Sequence, residues 1–347
     1  MSDTMTALAM TEAGGPEVLH IRQIERPQLQ RETDILVRVK AAGVNPADWQ
    51  NRKNGGGFAG KAGEIIILGI DGVGVVEAVG AAVHHFKVGD EVWYIDGGYR
   101  GNFGSYAELK VLNGDYATLK PKSLGFVEAA GLPVAALTAW EAVYEKAEIK
   151  PGDFVLIHGG AGGLGHLSIQ LALSLGARVA ATVSNEDKAA FVRKLGVERA
   201  INYKHESVVK ALQAWTGKEG ADHVFDFVGH GNFANSFEHV APYGSLINTV
   251  VSDWPRETNA LAEWRNIDVK FVNIGYPQIA GHHEYRLQQT AVLKQIAELV
   301  DSGKLTVHID RVVPFAGVGE AHTALETGAT IGRVVLDIGA STMVAHT

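Results

Sequence analysis

Cysteine is absent from the 347 residues. That excludes disulfides and thiolate metal ligands together, and it fits a reducing compartment. Long apolar runs are missing as well, and Met1 to Met10 shows no basic stretch leading into an apolar core. Neither a membrane span nor a signal peptide is expected, so the expected location is cytoplasmic. Basic runs are also lacking: 31 Lys and Arg stand against 39 Asp and Glu, for a formal charge of −8. A protein of that sign is a poor partner for a phosphate backbone, and no nucleic acid is expected.

What remains is ordinary globular material, 46% hydrophobic and 20% charged, in a chain long enough for two domains. Up to about residue 120, short strands separated by Gly and Pro predominate. Ile35, Val37 and Val39 alternate with Leu36, Arg38 and Lys40, Gly72 to Gly80 is rich in Val and Gly, and Asp90 to Tyr94 follows the Val88-Gly89 turn signal. Near Phe126 the texture becomes helical and small-residue, and strands then alternate with helices. The strands are Phe154 to His158, Arg178 to Val183, Ala200 to Tyr203, His223 to Val228 and Ser245 to Val250, with a helix over Leu164 to Leu175 closed by Gly176. Such alternation predicts a parallel sheet covered on both faces. A helix from about Tyr285 to Asp301 follows, and Val307 to Val313 and Gly332 to Leu336 read as strands that return to the first domain. The expected layout is an α/β protein whose first domain, 1–129 and 277–347, is interrupted by an α/β unit over 130–276.

Directly after the strand ending at His158 comes Gly159-Gly160-Ala161-Gly162-Gly163-Leu164-Gly165, containing G-x-G-x-x-G as Gly160, Gly162 and Gly165. In this pattern the first Gly turns the chain, the second admits a pyrophosphate to the backbone, and the third packs helix on strand. The helix N-terminus then faces the diphosphate charge. The second strand ends Thr182-Val183-Ser184-Asn185, with no acid to hold a bare ribose. Ser184, Asn185, Lys188 and Tyr203 suit a 2′-phosphate better, so NADPH is the expected cofactor; Glu186 and Asp187 argue the other way. His158 ends the strand beneath the glycine loop, where it serves either the cofactor or the framework.

The chain resembles the medium-chain dehydrogenase/reductase superfamily, in its zinc-free quinone oxidoreductase (zeta-crystallin-like) branch. The resemblance runs over nearly its whole length: Gly14 to Leu19, Gly43 to Asp48, Gly72 to Gly80, Phe86 to Val92, Gly104 to Glu108, and Ala161 to Gly165 with Ile169 to Ala172. It implies a GroES-like β-rich catalytic domain with an inserted Rossmann doubly wound sheet, an active-site cleft between the two, and a homo-oligomer, dimer or tetramer, pairing strands around Lys270 to Gly275. Zinc-containing members use Cys where this chain has Asn45 and His where it has Ile70, and the third ligand position falls near Pro133 and Val134. No metal is therefore expected, against what a zinc dehydrogenase label would say.

Without a Lewis acid, alcohol oxidation loses its means of stabilising an alkoxide, whereas a quinone or conjugated carbonyl delocalises the arriving charge itself. The resemblance implies that Asn45 lies beside nicotinamide and substrate, that Thr138 touches the nicotinamide, and that Val228, Gly229, Asn248, Thr249 and Val250 line the cofactor. Asp48, Trp49, Tyr94 and Tyr106 are further pocket candidates. Some members carry a phosphate-binding Arg where this chain has Gly328, with Arg333 as a substitute. Quinone reduction is the expected activity; reduction of an alkenal or enone on the same scaffold is the alternative, and a non-enzymatic NADPH-binding structural, sensing or RNA-binding role is the reading from another class. Tyr106 with Lys110 lies in strand-like sequence ahead of the glycine run and does not read as a catalytic Tyr-Lys pair. His84-His85 and His282-His283 read as solvated.

Overall fold

The structure, a computed structural model, describes residues 3–55, 63–99, 101–250 and 256–339. It divides into two compact units, Met1–Leu137 with Gly275–Thr347, and Thr138–Ile274.

In the first unit the strands are β1 (Thr4–Met10), β2 (His20–Glu25), β3 (Asp34–Val44), β4 (Ile66–Ile67), β5 (Asp71–Val79), β6 (Glu91–Ile95), β7 (Leu109–Asn113) and β8 (Ala117–Leu119). Helix α1 (Pro46–Lys53) follows β3, and α2 (Phe126–Ala130) and α3 (Pro133–Trp140) follow β8. β3 is long and buried on both faces because three strands use it: β5, β7 and a strand from the C-terminal part of the chain all pair with it antiparallel.

The second unit runs β9 (Phe154–His158), α4 (Gly165–Ser174), β10 (Arg178–Val183), α5 (Glu186–Lys194), β11 (Arg199–Asn202), α6 (Val208–Thr216), β12 (Ala221–Asp226), α7 (Gly231–Ser236), β13 (Val240–Asn248), α8 (Arg256–Arg265) and β14 (Asp268–Phe271). Its six strands are all parallel, in the order β11-β10-β9-β12-β13-β14. Counted from β9 this is 3-2-1-4-5-6, the Rossmann order, and the direction of winding reverses between β9 and β12. At such a reversal the loops after neighbouring strands part, which leaves room for a ligand beyond the carboxyl ends of the strands. The apolar face is closed by Leu156, Ala180, Ile201, Val224, Leu246 and the T-shaped Phe233–Phe237 pair.

The chain then returns to the first unit through α9 (Tyr276–Ile279), α10 (His283–Asp301), β15 (Ile309–Val313), α11 (Val318–Glu326) and β16 (Arg333–Asp337). β16 pairs with the end of β3, Val334 opposite Val44 and Leu336 opposite Ala42. The first unit's core joins β1, β3, β4 and β16 around Met5, Met10, Val39, Ile66, Leu68, Phe315 and Leu336.

The compact units divide after Leu137 and before Gly275, where the sequence pattern put the boundaries after residue 129 and before residue 277. The small-residue run from Phe126 has the texture of a helix on a parallel sheet, yet α2 packs on β3, β5 and β16 of the first unit. Ala129, Ala130 and Leu132 are fully buried on that side of the unit. No helix among the described residues is long and apolar enough to cross a membrane.

Candidate functional site

The glycine turn of the second unit divides its labour differently from the pattern read in the sequence. Gly159 carries the left-handed backbone, with φ of 70°, while Gly160 does not. A Cβ on Gly160 would lie 2.5 Å from the Cβ of Ala181 on β10, so this glycine serves strand packing. One on Gly165 would press into the Gly159 carbonyl oxygen and lie 2.7 Å from the Gly160 Cα. That is the close helix-on-strand approach the third glycine of the pattern allows. At Gly162 the only close neighbour is the Gly159 oxygen, 3.2 Å away. Ala161 is buried, whereas Gly162, Gly163 and Leu164 keep part of their surface open, and α4 starts at Gly165. A partly open glycine turn feeding a helix N-terminus is a cradle for a diphosphate.

Polar groups gather at the strand ends. Asn185 is the N-cap of α5, its Oδ1 accepting from the Lys188 N–H at 2.9 Å. Ser184 and Lys188 are half-buried, and Tyr203 is exposed, its backbone N–H joined to the Val183 carbonyl of the neighbouring strand at 3.3 Å. Of the two acids in the first turn of α5, Glu186 is paired with Arg193 at 2.5 Å, which offsets its charge. Beyond the reversal, Asp226 was missed by the sequence reading. Its Oδ1 accepts from the N–H groups of Val228 and Gly229 and from Asn232 Nδ2, each at 2.9 Å, and so shapes the loop after β12. Val228 is then left exposed and Gly229 buried with φ of 71°. Asn248 Oδ1 accepts from the Val250 N–H at 2.8 Å, drawing Thr249 and Val250 into a tight turn.

Two buried side-chain atoms here have no partner, Asp226 Oδ2 and Asn248 Nδ2. They belong to residues directly opposite one another on β12 and β13. Orphaned polar atoms are costly inside a protein, and a pair of them at the ligand end of a Rossmann sheet points to groups a ligand satisfies. Together with the open turn they fit a dinucleotide.

In the first unit β3 delivers Val44 and Asn45 to the start of α1, with Pro46 at the first helical position, where its missing N–H costs nothing. Asp48 sits one turn in. Its Oδ2 accepts from the Asn45 N–H at 2.8 Å and its Oδ1 from Gly69 and Ile70 at 3.1 and 3.2 Å. Asn45 joins opposite charges: its Oδ1 accepts from Arg333 at 2.7 Å and its Nδ2 donates to Asp71 Oδ1 at 3.0 Å. Arg333 also donates to the Gly131 carbonyl at 2.7 Å, and Asp71 Oδ2 accepts from the Val134 N–H at 3.0 Å. Gly43 permits this convergence, since a Cβ there would lie 2.7 Å from Asp71 Oδ1 and 2.8 Å from the Ala130 carbonyl.

The electrostatics follow from burial. One guanidinium faces two buried carboxylates, so only one of them is compensated. Burial, and then the charge of Asp71, push the Asp48 carboxyl up to about 7. Burial also raises Asp71, against the opposing pull of Arg333, and lowers the Arg333 guanidinium.

Most of the site residues expected in this unit are buried. Asn45 is 1% exposed and Asp48 0%. Both are engaged in the network and position the start of α1. Tyr94 is fully buried in a core with Ile35, Val37 and Val76, its hydroxyl 3.2 Å from Ser105 Oγ, and is a framework residue. Tyr106 is likewise buried, its hydroxyl facing His322 Nε2 at 3.5 Å, while Lys110 pairs with Asp96 at 2.6 Å. Trp49 is half-buried with its indole N–H unpartnered, and Thr138 is partly exposed on α3. Arg333 donates to Asn45, and Gly328, with φ of 64°, lies just past the end of α11. Of the paired histidines, His283 meets the Tyr116 hydroxyl at 2.8 Å and His85 lies against Phe86.

At the positions where the family resemblance puts zinc ligands stand Asn45, Ile70 and Pro133–Val134. An aliphatic side chain, and an amide already held by Arg333 and Asp71, do not supply the thiolate and imidazole donors zinc takes in such sites. Among the described residues no three His, Asp or Glu side chains are grouped to hold a metal ion.

Comparison with known proteins agrees with this architecture. Residues 31–122 match the family described as alcohol dehydrogenase GroES-like domain, and residues 195–336 the family described as zinc-binding dehydrogenase. A quinone oxidoreductase of Pseudomonas aeruginosa is 30% identical over 334 residues, 93% of this chain and 96% of that protein. The human mitochondrial NAD(P)H oxidoreductase RTN4IP1 is 32% identical over 97% of this chain and 90% of its own length. The crystal structure of the Escherichia coli quinone oxidoreductase complexed with NADPH superposes with a TM-score of 0.85 at 27% identity, covering 96% of this chain and 100% of that one. The chain belongs to the medium-chain dehydrogenase/reductase superfamily, in its quinone oxidoreductase branch, and is an oxidoreductase of the NAD(P)H-dependent kind.

Proposed function

We propose that this oxidoreductase uses NADPH to reduce a small quinone, without a metal ion. NADPH, when bound, supplies the hydride; the residues of this chain supply binding and alignment. The observation that carries the reading is the ligand end of the Rossmann sheet. There a partly open turn at Gly162 and Gly163 follows β9, and two orphaned polar atoms, Asp226 Oδ2 and Asn248 Nδ2, close the next strands β12 and β13 of the same parallel sheet. Preference for the phosphorylated cofactor rests on the tip of β10, where Ser184, Asn185 and Lys188 replace the acid that would repel a 2′-phosphate. The E. coli relative was crystallised with NADPH, which supports the same choice.

A quinone is favoured because Asn45, Ile70 and Pro133–Val134 offer no thiolate or imidazole donors to hold a Lewis acid, and a quinone accepts charge into its own conjugated system. The network around Asn45 holds the entry to α1 rigid. Rigid placement is what a reaction relying on alignment needs. Homo-oligomerisation through the edge strand β14, and a cytoplasmic location, belong to the same proposal.

Steady-state rates with NADPH against a quinone panel and an alkenal panel test the substrate class, and inactivity on every conjugated acceptor would sink it. Cofactor choice is tested by fluorescence titration. Lys188→Ala is expected to weaken NADPH about tenfold, the scale of one charge-assisted hydrogen bond, and to leave NADH unchanged.

A further inference from the structure

Beneath the glycine turn lies a chain of buried polar side chains that the reaction itself does not use. Thr182, on β10, stands next to His158 across the parallel pairing, one residue beyond the paired positions Ala181 and Ile157. Its hydroxyl oxygen accepts from the N–H of Gly159 at 3.2 Å, and its backbone carbonyl accepts from the N–H of Gly160, also at 3.2 Å. The same hydroxyl lies 3.2 Å from His158 Nδ1, and His158 Nε2 lies 3.1 Å from His239 Nδ1. All three side chains are buried.

The assignment that spends the hydroxyl proton runs one way. Gly159 N–H donates to Thr182, Thr182 O–H to His158 Nδ1, and His158 Nε2–H to His239 Nδ1. It requires both rings to be neutral. Burial keeps them so, pushing His158 down to about 4 and His239, with His158 beside it, down to about 3.

We propose that Thr182, oriented by the His158–His239 pair, is a positioning residue for the dinucleotide site, holding Gly159 in its left-handed conformation. A valine at this position keeps the shape but withdraws the acceptor from the one residue whose backbone reverses the strand into the turn. The turn serves the diphosphate that both nicotinamide dinucleotides share. Loss of Thr182 therefore weakens both cofactors alike, unlike loss of a group at the 2′-phosphate.

This inference rests on the cofactor reading above, and the test separates the two. Dissociation constants for NADPH and NADH are measured by fluorescence at a temperature where circular dichroism shows each protein folded. Thr182→Val is expected to bind both about tenfold more weakly, the scale of one lost buried hydrogen bond, with the NADPH to NADH ratio unchanged. Thr182→Ser, which keeps the oxygen, is expected to stay within about twofold of wild type. Should Thr182→Val not fold, His239→Leu leaves Thr182 in place while removing the partner of His158 Nε2 and the ring packed against it, and is expected to weaken both nucleotides about threefold. Folded variants that bind both as wild type does, or a Ser variant as weak as the Val variant, would overturn the role of Thr182. A wild-type protein that binds neither nucleotide would instead overturn the cofactor reading and this inference with it.

Discussion

His322 gives the sharpest stability prediction. It lies on α11, fully buried, with Nδ1 3.1 Å from Arg52 Nη1 and the ring tilted against Tyr106 at 6.1 Å. Burial, and then the positive charge of Arg52, push its pKa from 6.5 down to about 4. Between those values the unfolded chain binds a proton that the folded one refuses. Stability contributed by neutral His322 is thus fully present above pH 6.5 and is lost as pH falls toward 4. From pH 7 to pH 5 the loss is roughly 2 kcal/mol, most of the three or so that the full shift represents. Asp48 titrates in the opposite sense, since its raised pKa favours the fold as pH falls through 7. That term is common to both proteins and cancels in a difference. His322→Asn keeps an acceptor for Arg52 but cannot titrate. Urea unfolding of wild type and variant at pH 7 and pH 5 should therefore show the gap between them narrowing, or reversing, by about 2 kcal/mol at the lower pH. Parallel pH dependence in the two proteins would show that His322 is not held neutral by its burial.

Two further outcomes follow from the sites. Arg333→Leu strands Asp71 as an uncompensated buried charge and removes the donor from Asn45, so a loss of about 3–5 kcal/mol is expected in urea unfolding. Adding Asp71→Asn should recover at least about 1 kcal/mol, and strict additivity of the two changes would contradict the network. The glycines separate framework from function. Gly165→Ala, whose methyl meets the Gly159 carbonyl, should cost about 1–3 kcal/mol in stability. Gly162→Ala, with one neighbour at 3.2 Å, should lower its melting temperature far less than Gly165→Ala and lose dinucleotide affinity. Equal thermal effects from the two substitutions would refute that division.

Much of the architecture was legible because local pattern encodes which face of an element is buried. Strand and helix alternation over 154–248 announced a parallel sheet, and the glycine spacing after His158 announced a nucleotide turn. The β-textured tail showed that the first domain closes late. Asn45 and Ile70 showed from identity alone that thiolate and imidazole donors are missing.

Tertiary structure decided what depends on distant segments meeting. The strand order that opens a ligand site between β9 and β12 is a matter of which strands pair, and no single strand carries that information. Arg333 reaches Asn45 across 288 positions only because β16 lies antiparallel to β3 with Val334 opposite Val44; its sequence context carries no sign of that partner. Tyr94 and Asp48 carry the same functional groups buried or exposed, and packing on both sides decided that they are fully buried. The buried line from Gly159 through Thr182 and His158 to His239 joins a strand end, its neighbour and the 3-10 turn before β13. Hydrogen bonds over such separations depend on register and burial, which periodicity along the chain does not specify.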